Sequence, residues 1–275
     1  MPTPRALLMC RPDEFDVVDV KNPFMAGHLG GVDRDAARAQ WEALRRAFVD
    51  AGIPVEVIDP VPGCEDMVFC ANQTFPYVTP DGERVCVLGR MRHASRQREV
   101  PAFEAWFAAR GYRIERIEAG FEGGGDALPH PGGRPLVWCG VGPRTDAEAV
   151  PQLRALLGVE VVALPLRSER FYHLDTCLCV LDARRALVFR DALDEAGLAR
   201  LEAEFDELIA VDEADAVERM ACNALALPDG TVVLQRGAER TVAALAARGY
   251  RLVEVETGEF MKSGGSVYCL EQFVY

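Results

Sequence analysis

Apolar positions in this chain alternate between a helical and an extended period. In residues 41–51, Trp41, Leu44 and Phe48 recur at the spacing of one helix face, and Gly52 comes next as a stop. Residues 54–58 then read as a strand, and Asp66-Met67-Val68-Phe69 opens the next. The same order returns twice more. Residues 151–157 are helical, Gly158 is the stop, 159–164 form a strand, and His173-Leu174-Asp175 opens another. Residues 198–208 read as a helix, 209–211 as a short strand, and Cys222-Asn223 as the next opening.

Two copies are close to literal. Residues 108–113 and 246–251 both read AARGYR, continuing as RIERIEAGFEGGGDAL in one and RLVEVETGEFMKSGGSVYCL in the other. Each is a helix end, a glycine stop at Gly111 or Gly249, an alternating strand and a glycine-rich loop. The five openings fall near residues 66, 126, 175, 223 and 266, about fifty residues apart. Hairpin turns come after four of them, at Thr79-Pro-Asp-Gly, Pro131-Gly-Gly, Asp182-Ala-Arg and Pro228-Asp-Gly. The fifth runs to Tyr275 without a partner strand, and Ala6–Cys10 is the natural candidate to supply it. The expectation is an α/β fold, a five-bladed α/β propeller. Its pseudo-fivefold ββαβ units, strands inside and one helix outside, are closed by the N-terminal strand into a single catalytic domain over 1–275.

Such a ring would bring the five openings to one end of its axis. They carry Glu65, Asp66 and Asn72; Glu122 and Asp126; His173 and Asp175; Asn223; and Cys269 after Gly264-Gly265. A cysteine and a histidine make a nucleophile and general acid/base pair. The added carboxylates form a pocket for a planar, permanent cation such as a guanidinium, held so that a thiolate meets its carbon from one face.

Composition and charge narrow the classes. The 275 residues are 49% apolar and 27% charged, with a net charge of -13. That balance argues against nucleic-acid binding, which needs a basic footprint, and favours attraction of a cation. No apolar run approaches the length of a membrane span, and residues 1–9 are too short for a secretory signal before Arg11-Pro12 breaks them. Nine scattered cysteines without CxxC spacing read as reduced thiols in a cytoplasmic protein, Cys177 and Cys179 among them as small core residues. No His/Cys cluster completes a metal site.

The segments FEGGGDAL (121–128), RFYHLDTCLC (170–179), EADAV with ACNAL (213–225) and EFMKSGGSVYCL (259–270) resemble the guanidino-group-modifying enzymes, or penteins. So do MCRPDEFDV (9–17), NPFM (22–25) and EDMVFCAN (65–72), so the resemblance covers nearly the whole chain. It is nearest the arginine dihydrolases, arginine deiminases and dimethylarginine dimethylaminohydrolases. The resemblance implies Cys269 as nucleophile, His173 as general acid/base and Glu122 as the carboxylate beside it, with Asp126 sharing that role across three glycines. It implies Asp66 and Asp175 around the guanidinium, and Arg90 and Arg144 on the substrate carboxylate. Asn72 matches the amide of dihydrolases rather than the acid of deiminases, which would retain a neutral ureido product for a second attack. The implied reaction forms a thiouronium on Cys269 and needs no cofactor. Its partner is a small molecule, arginine or a derivative, and a homodimer would be the ordinary assembly. A dimethylaminohydrolase and an amidinotransferase are the alternative enzymes, and a non-catalytic ring protein the alternative class. The glycine-rich 27–32 reads as a mobile lid. Cys70 reads as packing, and Lys262 as a structural or solvated charge.

Overall fold

The computed structural model describes residues 3–132 and 134–275. Its strands form five separate three-stranded sheets, all built on one plan. Thr74–Val78 and Arg84–Leu88 make an antiparallel hairpin; helix Val100–Ala108 comes next; and Arg113–Arg116 returns parallel to Arg84–Leu88. The next sheet pairs Ala127–Pro129 with Leu136–Val141, then Glu160–Pro165 across helix Ala149–Leu157. Its hairpin turn includes residue 133, which lies outside the described residues. Leu178–Val180, Arg185–Val188 and Glu207–Ala210 repeat the plan around helix Glu195–Glu204. Leu225–Ala226, Thr231–Gln235 and Arg251–Val255 repeat it around Glu239–Ala246.

The fifth sheet draws on both ends of the chain. Gln272–Val274 runs antiparallel to Ala6–Cys10, with Ala6 opposite Val274, and Val55–Ile58 lies parallel on the other side after helix Arg34–Asp50. The N-terminal strand therefore does what the unpaired fifth opening requires, over the residues expected.

Burial explains the layering. The middle strands Ala6–Cys10, Leu136–Val141 and Thr231–Gln235 are buried throughout. They lack the alternation of a one-sided sheet because both faces are covered. The third strands Arg113–Arg116 and Arg251–Val255 are half exposed and mix charged with apolar residues. The glycine after each AARGYR helix sits in the left-handed region, Gly111 at φ 78° and Gly249 at φ 82°, which lets the chain turn back into its strand.

Two helix boundaries differ most from expectation. The helix expected over 41–51 is Arg34–Asp50, starting early behind Asp33, whose carboxylate accepts from the Asp35 and Ala36 N–H groups. The helix expected over 198–208 is Glu195–Glu204, and Leu208 lies instead in a strand, opposite Ala186. Asp194 sets the early start by accepting from the Gly197 N–H, and buried Phe205 turns the chain inward. All nine cysteines are free thiols and buried. Among the described residues no helix is long and apolar enough to cross a membrane.

Candidate active site

Cys269 sits in the short turn Tyr268–Leu270 and is 2% exposed. Its Sγ donates to Asp175 Oδ2 at 3.0 Å and receives Asn223 Nδ2 at 3.2 Å. Asn223 is a clamp. Its Oδ1 accepts from the N–H groups of Ser266 and Cys269 at 2.9 and 3.2 Å, and its Nδ2 also donates to the Asp175 carbonyl at 3.1 Å. One amide thus ties the turn that carries Cys269 to a neighbouring opening.

His173 is 1% exposed and donates from Nε2 to Glu122 Oε2 at 2.7 Å. Glu122 also accepts from Arg144 Nη1 at 3.0 Å and from the Arg92 N–H at 2.9 Å. Asp126 accepts from Thr145 Oγ1 at 2.6 Å and from the Leu174 N–H at 3.0 Å. Thr145 Oγ1 in turn accepts from the Glu122 N–H at 3.1 Å. The glycines between Glu122 and Asp126 answer to crowding: a Cβ on Gly125 would lie 2.3 Å from Asn72 Nδ2, and one on Gly123, at φ 56°, 2.5 Å from the Thr74 carbonyl.

Asn72 stands beside the imidazole. Arg96 Nη1 donates to its Oδ1 at 2.9 Å, so the amide NH2 faces His173 Nδ1 at 3.4 Å. Arg96 is itself 5% exposed, paired with Glu99 at 3.1 Å and bonded to the Asp66 and Phe69 carbonyls. Asp66 takes Ser263 Oγ at 3.2 Å on one oxygen. The other lies 3.0 Å from Lys21 Nζ, an ion pair not aligned as a hydrogen bond.

Glu122 shifts in the opposite direction from Asp126, Asp175 and Cys269. Burial alone would raise Glu122, but the His173 hydrogen bond and the His173 and Arg144 charges outweigh it and hold the carboxyl well below the usual range. Burial pushes Asp126 up to about 7, against the His173 charge and its own hydrogen bonds. It pushes Asp175 up to about 7 as well. Burial, reinforced by the Asp175 charge, pushes the Cys269 thiol well above its ordinary value. The Asp175 Oδ1 atom is buried without a partner, an acceptor left for a ligand donor.

Asp66, Asn72, Arg144 and Cys269 line one cavity with Lys21 and Tyr172. It encloses about 10 Å³, room for about one water. His173, Glu122, Asp126 and Asp175 join it through the hydrogen bonds above. Arg90 is not brought in: it is exposed and lines a separate groove with Arg92 and Arg98. Its backbone pairs with Phe121, next to Glu122, so it stands at the rim. Cys70 is buried in a core cluster. Lys262 is structural, donating to the Gly31 carbonyl and to Glu259 at 2.8 and 2.6 Å.

Sequence reasoning missed Lys21, Arg96 and Thr145. Arg96 and Glu99 are spaced as a helical ion pair, the one signal available. A larger cavity of about 440 Å³, largely apolar, contains none of the expected site residues. Among the described residues, no group of three His, Cys, Asp or Glu side chains is arranged to hold a metal ion.

The family model described as "N,N dimethylarginine dimethylhydrolase, eukaryotic" matches residues 18–273. The N(G),N(G)-dimethylarginine dimethylaminohydrolase of Mycobacterium tuberculosis is 38% identical over 98% of this chain and 85% of its own length. The bifunctional arginine dihydrolase/ornithine cyclodeaminase AgrE of Nostoc is 37% identical over 96% of this chain. The chain spans 37% of that relative's length. Among solved structures, the N-terminal domain of ArgZ, an arginine dihydrolase from cyanobacteria, superposes with a TM-score of 0.92 at 35% identity. The match covers 98% of this chain and 97% of that one, a variant with one asparagine changed to serine and covalently bound to a reaction intermediate. The fold, the polar cluster and these likenesses agree: the chain belongs to the N,N-dimethylarginine dimethylhydrolase family of guanidino-group-modifying enzymes.

Proposed function

We propose that this chain hydrolyses the guanidino group of arginine through a covalent thiouronium on Cys269, as an arginine dihydrolase. The observation that carries the reading is one buried cluster holding Cys269 against Asp175 and His173 against Glu122, with Asn72 lining the same cavity. All five sheets would serve as one catalytic domain closed into a propeller. A homodimer is the assembly we expect.

The thiol is neutral in the empty pocket, since both burial and Asp175 oppose its ionisation. An arriving guanidinium supplies the missing positive charge, with Asp66 and the free Asp175 oxygen accepting its N–H groups. Sulfur then adds to the guanidino carbon. The thiol proton passes by way of His173 to the leaving nitrogen, and ammonia departs. Water, deprotonated by His173, displaces the sulfur, giving citrulline, a regenerated thiol and one proton.

Asn72 decides the fate of the bound citrulline. Because Arg96 fixes its carbonyl, its NH2 faces His173 Nδ1 and favours a ring whose Nδ1 is open to take a proton from water. A carboxylate there would favour the imidazolium instead. A second attack on bound citrulline expels a second ammonia, and a second water releases a carbamate that decomposes to ornithine and carbon dioxide. Stopping after the first cycle would be deiminase chemistry. Arg144, and Arg90 swinging in from the rim, would hold the substrate carboxylate.

The Mycobacterium tuberculosis relative, matched over most of both chains, favours a second reading as a dimethylaminohydrolase, in which dimethylamine replaces the first ammonia. Met25 and Phe69 in the cavity wall would meet its methyl groups. Product analysis separates the readings. With L-arginine, ornithine and two ammonia per turnover are expected, and Asn72→Asp should shift the products to citrulline and one ammonia. Turnover of dimethylarginine alone would overturn the dihydrolase reading.

A further inference from the structure

One residue occupies both ends of the pocket at once. The Lys21 side chain is 2% exposed although the residue belongs to a surface segment. Its Nζ lies 3.0 Å from Asp66 Oδ2 and 3.0 Å from Glu65 Oε1, and also meets Asp19. Its main-chain carbonyl accepts from Arg144 Nη2 at 2.9 Å. Asp66 is the acid expected to hold the substrate's cationic end, and Arg144 the arginine expected to hold its carboxylate. The segment is strapped down on either side: the Lys21 N–H donates to Met25 Sδ at 3.2 Å, and Asn22 Nδ2 to the Ser263 carbonyl at 2.9 Å. Lys21 is part of the wall of this tight cavity and holds the groups on Asp66 and Arg144 for which the substrate would compete.

We infer that Lys21 is a built-in cation occupying the substrate's place, and that arginine binds by displacing its ammonium from Asp66 and its carbonyl from Arg144. The inference rests on the reading of the site given above. A buried carboxylate without a counter-cation is costly, so the empty site keeps one of its own. A guanidinium can take over that task because it is cationic, planar and more weakly hydrated than an ammonium. A neutral ureido ligand cannot. Lys21 therefore lowers the apparent affinity of any ligand that must displace it, by the fraction of molecules in which it has let go.

The test is calorimetric binding of L-arginine and L-citrulline to Cys269→Ser protein, with and without Lys21→Gln, checked for equal thermal stability. Removing the internal cation should tighten arginine and citrulline alike, each by about tenfold, because both must displace it. Lys21→Arg, which keeps the charge, should leave both affinities within about twofold. A merely structural lysine would weaken both ligands when removed, and a lysine that binds substrate would weaken arginine; either result overturns the inference. Equal arginine binding with and without Lys21 overturns the inference alone. Absence of arginine binding in every variant overturns the functional reading and this inference with it.

Discussion

The two stretches that begin with AARGYR share a backbone plan and end in opposite chemistry. After Gly111 the chain forms Arg113–Arg116 and delivers Glu122 and Asp126; after Gly249 it forms Arg251–Val255 and delivers Cys269. Both loops are buried, so desolvation works against charge in each. What differs is the neighbour. Glu122 meets His173 and Arg144 and stays ionised, whereas Cys269 meets Asp175 and stays a thiol. Position in the repeat fixes where a side chain goes, and burial and the facing charges together fix its protonation state: Asp126, in the same loop as Glu122, is pushed up to about 7 by burial. At rest the first loop presents an ionised Glu122 and the second a neutral Cys269.

Cys269→Ser breaks the comparison at its most sensitive point. It preserves shape but removes the proposed nucleophile, and steady-state kinetics with arginine should show kcat/KM lower by at least about a thousandfold. Glu122→Gln attacks the other half. Without the carboxylate, His173 loses its partner, and kcat should fall by about a hundredfold or more. The same change bears on stability. A carboxyl held below its unfolded pKa contributes above the unfolded value and loses that contribution as pH falls through the folded one. Thermal melts should therefore show Glu122→Gln destabilised at neutral pH, with the gap to wild type narrowing under acid.

Asp175 sharpens the contrast through pH. Its pKa, raised to about 7, means that it keeps a proton in the empty enzyme which the unfolded chain has already lost. Its contribution to stability is thus full below the unfolded carboxylate range and is lost as pH rises toward about 7. Binding arginine favours the ionised form, so near pH 6 calorimetry in buffers of different ionisation enthalpy should report protons released. That release should fade above about pH 8 and diminish in Asp175→Asn. The smallest effect belongs to Asn223→Ala, which removes the donor to sulfur and loosens the turn. A fall of about tenfold in kcat is expected, with thiol alkylation requiring a higher pH. An unchanged alkylation profile would reduce Asn223 to a packing residue.

The fold was largely legible because its signals are local and repeated. A fifty-residue period, glycine stops and hairpin turns required a fifth partner strand, and Ala6–Cys10 supplies it. The side chains gathered in the candidate site were legible for the same reason, since each lies near the opening of a unit. Buried charge was not legible. Arg96 and Glu99 have the spacing of an ordinary exposed helical pair, and nothing local says that Arg96 is buried against Asn72. Arg90, chosen from the same segment, lies at the rim because the chain there pairs with Phe121 and turns its side chain outward. Lys21 and Thr145 act through partners more than twenty residues away, Lys21 on Glu65 and Asp66, Thr145 on Glu122. Spacing reports which residues share a face, not what the face meets.

The central claim is that the Cys269 sulfur bonds the guanidino carbon of arginine. Rapid acid quenching of the enzyme with L-arginine labelled at that carbon, and then peptide mass analysis, tests it most directly. Labelled carbon is expected on the peptide containing Cys269 during turnover, and is expected to vanish once substrate is exhausted. Turnover with no label on Cys269, or with label on another residue, would contradict it.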